Sequence, residues 1–240
     1  MPKDWRVWDL AGSRLRKRGR GTECVVAAGE RPRRQSVGHA RQGGGDMNSK
    51  NFQDLVRSSR SYRRFAEEEP LCYGDLAALV NAARFAPSGN NMQVLRFHIV
   101  VEPAERSAVF SRLHWAALLR DWDGPAAGER PTGYIAVCAP KALATNLVRL
   151  IDTGIAAQTI ALAAASRGLG CCMLKSFDPD VNEVMGVSAE DYVTELVLAL
   201  GVRGERVVLE TSESEHGLAY WRDEEGIHHV PKLALEDLLI

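Results

Sequence analysis

The sequence has no uncharged apolar run long enough to cross a bilayer. The longest, residues 153–166, has 14 residues and contains Gln158 and two threonines, against the ~18–20 residues a spanning helix needs. No apolar stretch sits near the N-terminus, so no secretory signal is expected. Cysteine is sparse: five in all, with Cys171 and Cys172 adjacent, which yields neither a disulfide framework nor a zinc-ligand spacing. The thiols of Cys138, Cys171 and Cys172 have apolar neighbours, which raise thiol pKa and mark inert core residues. Also missing are a GxSxG elbow, a P-loop and a GxGxxG turn; Gly168-Leu169-Gly170 lacks the third glycine and follows a helix-patterned run. The histidines give no metal constellation. His98, His114 and His216 are scattered, and His228 and His229, adjacent on an expected strand, point to opposite faces. Together these absences predict a cytoplasmic chain with no membrane span, no metal centre and no hydrolytic nucleophile.

What is present is close to a globular average: 240 residues, 45% hydrophobic and 25% charged, enough for a full core. The net charge of -1 hides an asymmetry. Residues 1–46 carry 11 of the 30 basic and 5 of the 31 acidic groups, leaving 19 and 26 for residues 47–240. Opposite signs divide the chain into a basic, Gly- and Arg-rich segment (1–46) and a domain (47–240). Three readings of the segment stand: an upstream start codon ahead of Met47, a disordered tail with a role of its own, and a targeting presequence. It has no aromatic interleaving and no attached nucleic-acid module, so nucleic acid is not expected as a partner.

Within 47–240, periodicity predicts helices over 50–59, 74–85, 102–119, 147–167 and 179–185. Strands are predicted over 95–101, 134–139, 171–174 and 194–200, with a C-terminal hairpin around Asp223-Glu224-Glu225-Gly226. Helices and strands mix without a regular βαβ beat, which favours α+β over a doubly wound sheet.

Two stretches are loaded with polar chemistry. Arg57, Arg60, Arg63 and Arg64, with serines between them, offer forked donors suited to a phosphate; a solvated basic face is the plainer reading. The loop Pro87-Ser88-Gly89-Asn90-Asn91-Met92-Gln93 carries a hydroxyl and three amides suited to a heterocycle edge; a self-satisfied turn is its plainer reading.

The combination is more specific than its parts. Arg60-Ser61-Tyr62-Arg63-Arg64-Phe65, then Pro87-Ser88 with Asn91 and Gln93, then Asp152, Gly154, Ala157 and Gln158 ahead of Gly168-Leu169-Gly170, resembles the FMN-dependent nitroreductase superfamily over about residues 52–204. The ending Val230-Pro231-Lys232 is similar to one of its bacterial branches.

That resemblance implies a mostly antiparallel central sheet flanked by helices, with 147–167 as the central helix of a homodimer. It implies that Arg60, Ser61 and Arg63, with Arg64, hold the FMN phosphate and the flavin pyrimidine edge, where a fixed cation favours the reduced, anionic cofactor. The loop bearing Pro87, Ser88, Gly89, Asn91 and Gln93 would reach the flavin of the neighbouring subunit. Met173, Leu174, Lys175 and Ser176 would face flavin N5, with Lys175 as a modulator there, and Arg203 would add a phosphate contact. Trp115 and Trp122 fall where the family places a substrate-covering segment; a structural corner is the competing reading. Departures are Val94-Leu95 after Gln93 in place of the family's Pro-Trp, Ser59 where a basic residue is common, and Lys175 where some members are acidic. The implied activity is ping-pong hydride transfer from NADH or NADPH through FMN to a small acceptor such as a nitroaromatic or quinone. The alternatives are reductive dehalogenation, flavin fragmentation, or an FMN-binding module without turnover.

Overall fold

The computed structural model describes residues 49–119, 121–143, 146–212 and 217–240; the basic segment 1–46 and His216 lie outside them. After helix α1 (Ser49–Ser58), an extended segment leads to α2 (Tyr73–Ala83), β1 (Arg96–Val100), α3 (Pro103–Phe110), β2 (Gly133–Pro140) and α4 (Leu147–Ala165). Then come β3 (Leu169–Leu174), a single turn α5 (Val181–Val184), β4 (Tyr192–Val202), β5 (Val207–Thr211), β6 (Trp221–Arg222) and β7 (His228–Lys232).

The main sheet is antiparallel throughout, ordered β1-β2-β4-β3. Strand β2 is buried on both faces, which explains why its sequence reads as one apolar run rather than an alternation. Its residues divide between two cores. Tyr134, Ala136 and Cys138 face one way, with Val197 and Ala199 of β4, and meet Tyr62, Phe65, Val109 and Trp115. Ile135 and Val137 face the other way, with Leu198 and Leu200, and meet Leu76 and Leu79 of α2 and Ala157, Ile160 and Ala164 of α4. The period-2 pleat of each strand thus sorts its side chains between two layers.

Helix α4 opens on Asn146, whose side chain accepts from the Val148 amide at 2.9 Å, and stops before Gly168 in the left-handed region at φ +76°. By length and composition it could cross a membrane. Here it is the core helix of the fold, with Ala156, Ala157, Ile160, Ala161 and Ala164 buried. Small side chains on that face let α4 lie close to the sheet and to α2.

Two expectations need correction. The helix predicted over 102–119 ends at Phe110, because pairing across the chain wins over propensity: His114 N–H donates to the Ser176 carbonyl, Asp178 N–H to the Arg112 carbonyl, and Leu113 bridges Phe177. Strand β5 was not expected. Its short run pairs in parallel with β7, while β6 flanks β7 on the other side as the hairpin pattern predicted.

The extended segment 61–65 joins the first core to the C-terminal sheet. Tyr62 N–H donates to the Cys171 carbonyl at 3.1 Å, Phe65 N–H to Glu129 at 2.9 Å, and Ala66 N–H to Val202 at 3.0 Å. Gly204 passes so near that a Cβ there would sit 2.6 Å from the Phe65 carbonyl carbon, so only glycine fits that crossing.

Candidate functional site

Arg60 follows directly from the end of α1. Its guanidinium donates to the Val56 carbonyl at 2.8 Å, capping the helix with a cation where the dipole favours one. Ser61 bridges Cys171 of β3, which fixes the strand-like stretch that follows. The Arg63 and Arg64 amides then donate to one oxygen of the Glu205 carboxylate, while its other oxygen accepts from Arg222 at 2.8 Å. A buried carboxylate therefore orders the backbone from which two arginines project.

Arg60, Ser61 and Arg63 line a groove of about 380 Å³ together with Ser59, Gln158, Ala161, Cys171, Met173, Tyr220, His228, Val230 and Lys232. Three of these side chains are cationic and none is a carboxylate. The Nε atoms of Arg60 and Arg63 are buried without a hydrogen-bond partner among the described residues. Two guanidiniums and a lysine lining one groove, with no carboxylate in its wall, make a receptor for an anion. Burial lowers the Arg60 pKa from its usual value.

A second groove, of about 410 Å³, includes Pro87, Ser88, Gln93, Asp152 and Ala156, with Val80, Leu95 and Phe97 giving it apolar walls. Asp152 Oδ1 accepts from the Gly89 amide at 2.9 Å and ties the loop to α4. Asn90, Asn91 and Gln93 all have positive φ (52°, 53° and 49°). That is ordinary for asparagine but costs Gln93 roughly 1 kcal/mol or more. The Gln93 amide nitrogen donates to Asn91 Oδ1 at 3.1 Å, and both side chains face solvent. The two grooves lie on opposite sides of α4: Asp152 and Ala161 are nine residues apart, about 180° around a helix at 100° per residue.

The structure thus brings Arg60, Ser61, Arg63 and Met173 into one groove and Pro87, Ser88 and Gln93 into the other. Arg64 turns away to pair with Glu129 at 3.2 Å. Arg203 donates to the Leu169 carbonyl at 3.1 Å and lies over the Tyr62 ring, lining neither groove. Leu174 is buried in the core, and the Ser176 carbonyl accepts from His114. Lys175 is exposed, its ammonium 3.2 Å from Glu195, whose other oxygen holds the buried Arg149. Tyr220, His228 and Lys232 were not picked out as site residues. His228 and Lys232 arrive on β7, whose parallel pairing with β5 leaves no local signal, and Tyr220 immediately precedes β6.

A model of the nitroreductase family matches residues 56–202. The chain belongs to the nitroreductase family. Its fold is similar to that of a nitroreductase family protein from Clostridium difficile 630, at 20% identity over 79% of this chain and 97% of that one, with a TM-score of 0.53. A nitroreductase family protein from Streptococcus pneumoniae gives a TM-score of 0.52 at 19% identity over 68% and 94% of the two chains. A structure in complex with FMN from Desulfovibrio desulfuricans gives 0.53 at 20% identity over 64% and 86%. No curated protein matches the chain by sequence.

In this nitroreductase-family chain the two tryptophans pack on one another, the corner arrangement that competes with the substrate-covering reading. Trp115 is buried against Phe110, and Trp122 meets its edge at 6.5 Å. Arg222 covers the Trp122 ring at 4.4 Å, and neither tryptophan is among the lining of the two grooves described above. The thiols behave as expected: burial raises Cys138 and Cys171, and pushes Cys172 up to about 11.

Behind the arginine groove, His229 is clamped by two acids: Nδ1 meets Glu210 at 2.5 Å and Nε2 meets Asp223 at 3.0 Å, with Trp221 stacked on the ring at 4.1 Å. Hydrogen bonding to Asp223, then to Glu210, raises the His229 pKa against an opposing desolvation, and the same His229 contact lowers that of Asp223. The His229 contribution to stability is complete below the ordinary histidine pKa and is lost as pH rises through the raised value. The Asp223 contribution is present above the ordinary aspartate pKa and is lost as pH falls through the lowered value. We expect the gap in melting temperature between wild type and His229→Gln to be widest near about pH 5.5 and to shrink toward about pH 9. A gap that does not change with pH contradicts the clamp.

Proposed function

We propose that the protein is a homodimeric, cytoplasmic FMN-dependent oxidoreductase. It takes reducing equivalents from NADH or NADPH and passes them to a small acceptor such as a nitroaromatic or quinone. The observation that carries this reading is the carboxylate-free groove of Arg60, Arg63 and Lys232 in a nitroreductase-family chain. When bound, FMN supplies a hydride acceptor and donor that no side chain offers.

The chain's own residues bind and orient. Arg60, Arg63 and Lys232 neutralise the phosphate, and Arg63 has the forked geometry to hold an anionic ring edge as well. Met173, Cys171 and Ala161 supply apolar wall. Lys175, steadied by Glu195, sets a positive charge beside the reacting face. The free thiols of Cys72, Cys138, Cys171 and Cys172 suit a reducing compartment.

Dimerisation is argued from α4. Leu147, Leu150 and Ile151 are 73%, 46% and 61% exposed, and they share one helix face with Gly154 and with Gln158, which lines the arginine groove. A second copy packed there covers the apolar stripe and brings its loop of Ser88, Asn91 and Gln93 to that groove.

The test is steady-state kinetics with nitroaromatic, quinone and halogenated acceptors. Ping-pong turnover gives parallel double-reciprocal lines with either nicotinamide. Flavin that binds but never turns over contradicts the enzyme reading. Ile151→Glu, a change on an exposed face, is expected to sediment as a monomer with weakened FMN retention.

A further inference from the structure

His228 is fully buried on β7, at the inner wall of the arginine groove. Its Nε2 lies 2.9 Å from Arg63 Nη1. A guanidinium has no lone pair to give, so Arg63 is the donor and Nε2 accepts. A neutral imidazole with an acceptor at Nε2 carries its proton on Nδ1, and that Nδ1 has no hydrogen-bond partner among the described residues. Tyr220 completes the clamp: its ring lies 4.5 Å beneath the Arg63 guanidinium and 5.3 Å from the His228 ring.

We propose that His228 is a positioning residue whose unprotonated Nε2 holds Arg63 against the Tyr220 ring, fixing the guanidinium that grips the anionic part of the cofactor. For the identity of the ligand, this rests on the FMN reading above. The groups facing His228 reinforce its neutral state. Burial comes first, then Arg63 from the 61–65 segment, Arg222 on β6, the neighbouring His229, and Arg64; together they push its pKa down to about 4. Glu205, the nearby acid, is occupied by the Arg63 and Arg64 amides and by Arg222. The Arg206 carbonyl accepts from the His228 backbone, which seats the residue independently of its ring.

The experiment titrates FMN into the flavin-free full-length chain and four variants: His228→Ala, His228→Gln, Arg63→Ala and the double variant His228→Ala/Arg63→Ala. A hydrogen bond to a charged group predicts FMN binding about 30-fold weaker for His228→Ala. His228→Gln, which offers Arg63 an acceptor oxygen, should bind within about threefold of wild type. The double variant should be no weaker than Arg63→Ala alone. The imidazole ¹⁵N spectrum should show Nδ1–H and a bare Nε2 at pH 6, a readout that does not depend on FMN or on the variants folding. Equal losses from His228→Ala with and without Arg63, or an Nε2–H or imidazolium form at pH 6, overturn the positioning role alone. An Arg63→Ala variant that holds FMN as tightly as wild type overturns the FMN reading of the groove, and the positioning role with it.

Discussion

Replacing Arg60 and Arg63 together with alanine is expected to give a folded protein that purifies without flavin. Each guanidinium lines a groove whose wall holds no carboxylate. A charge-assisted contact to a phosphate contributes about 1.5–3 kcal/mol, so losing two weakens binding by roughly 10² to 10⁴-fold. Arg60 gives up one bond to the end of α1, and the Arg63 backbone keeps its bond to Glu205. Arg63 also gives up its contacts with the Ser61 carbonyl, His228 and the Tyr220 ring, a local loss that leaves the main sheet and its two cores in place. Circular dichroism should match wild type while flavin occupancy falls to near zero. A double variant at full occupancy contradicts the assignment of the groove.

Glu205→Ala is expected to have the largest effect on stability. The carboxylate is 2% exposed and pairs with an Arg222 guanidinium that is 11% exposed, so its removal strands a desolvated cation. It also strands the amides of Arg63 and Arg64. Breaking a buried pair on one side costs about 3–5 kcal/mol, which lowers the melting temperature of a domain this size by roughly 6–20 °C. Glu205→Gln keeps an oxygen for the two amides but turns an N–H toward Arg222, so it should fall between wild type and alanine. Because Glu205 links the 61–65 segment to β6, flavin retention should fall with stability. A melting temperature unchanged in Glu205→Ala contradicts this account.

The helix and strand pattern of 47–240 was legible where periodicity was strong. The all-apolar β2, the alanine-rich face of α4 and the Gly168 stop each carry a local signal that the fold uses directly. Arg60, Ser61 and Arg63 were legible for another reason: short spacing on one segment delivers them to one groove. His228 and Lys232 were not, because β7 is seated by a parallel pairing with β5 that no nearby turn encodes, and Tyr220 follows them through the β6–β7 hairpin. Alternation correctly set His228 and His229 on opposite faces but cannot say which face turns inward. The 102–119 run misled because its helical periodicity runs on past Phe110, whereas pairing of residues 112–114 with 176–178 ends the helix early. Trp115 and Trp122 read as stacking surfaces in sequence. Gly124, whose Cβ would lie 2.7 Å from the Trp115 ring, lets the chain fold tightly over that ring and keep it in the core.

The most direct measurement is the visible absorption spectrum of the purified protein, followed by anaerobic addition of NADH and then NADPH. The account predicts the flavin bands at close to one FMN per chain, bleached by at least one nicotinamide and restored by an added acceptor. A colourless protein that takes up no added FMN would contradict it, and the Arg60 and Arg63 groove would then be an anion site of another kind.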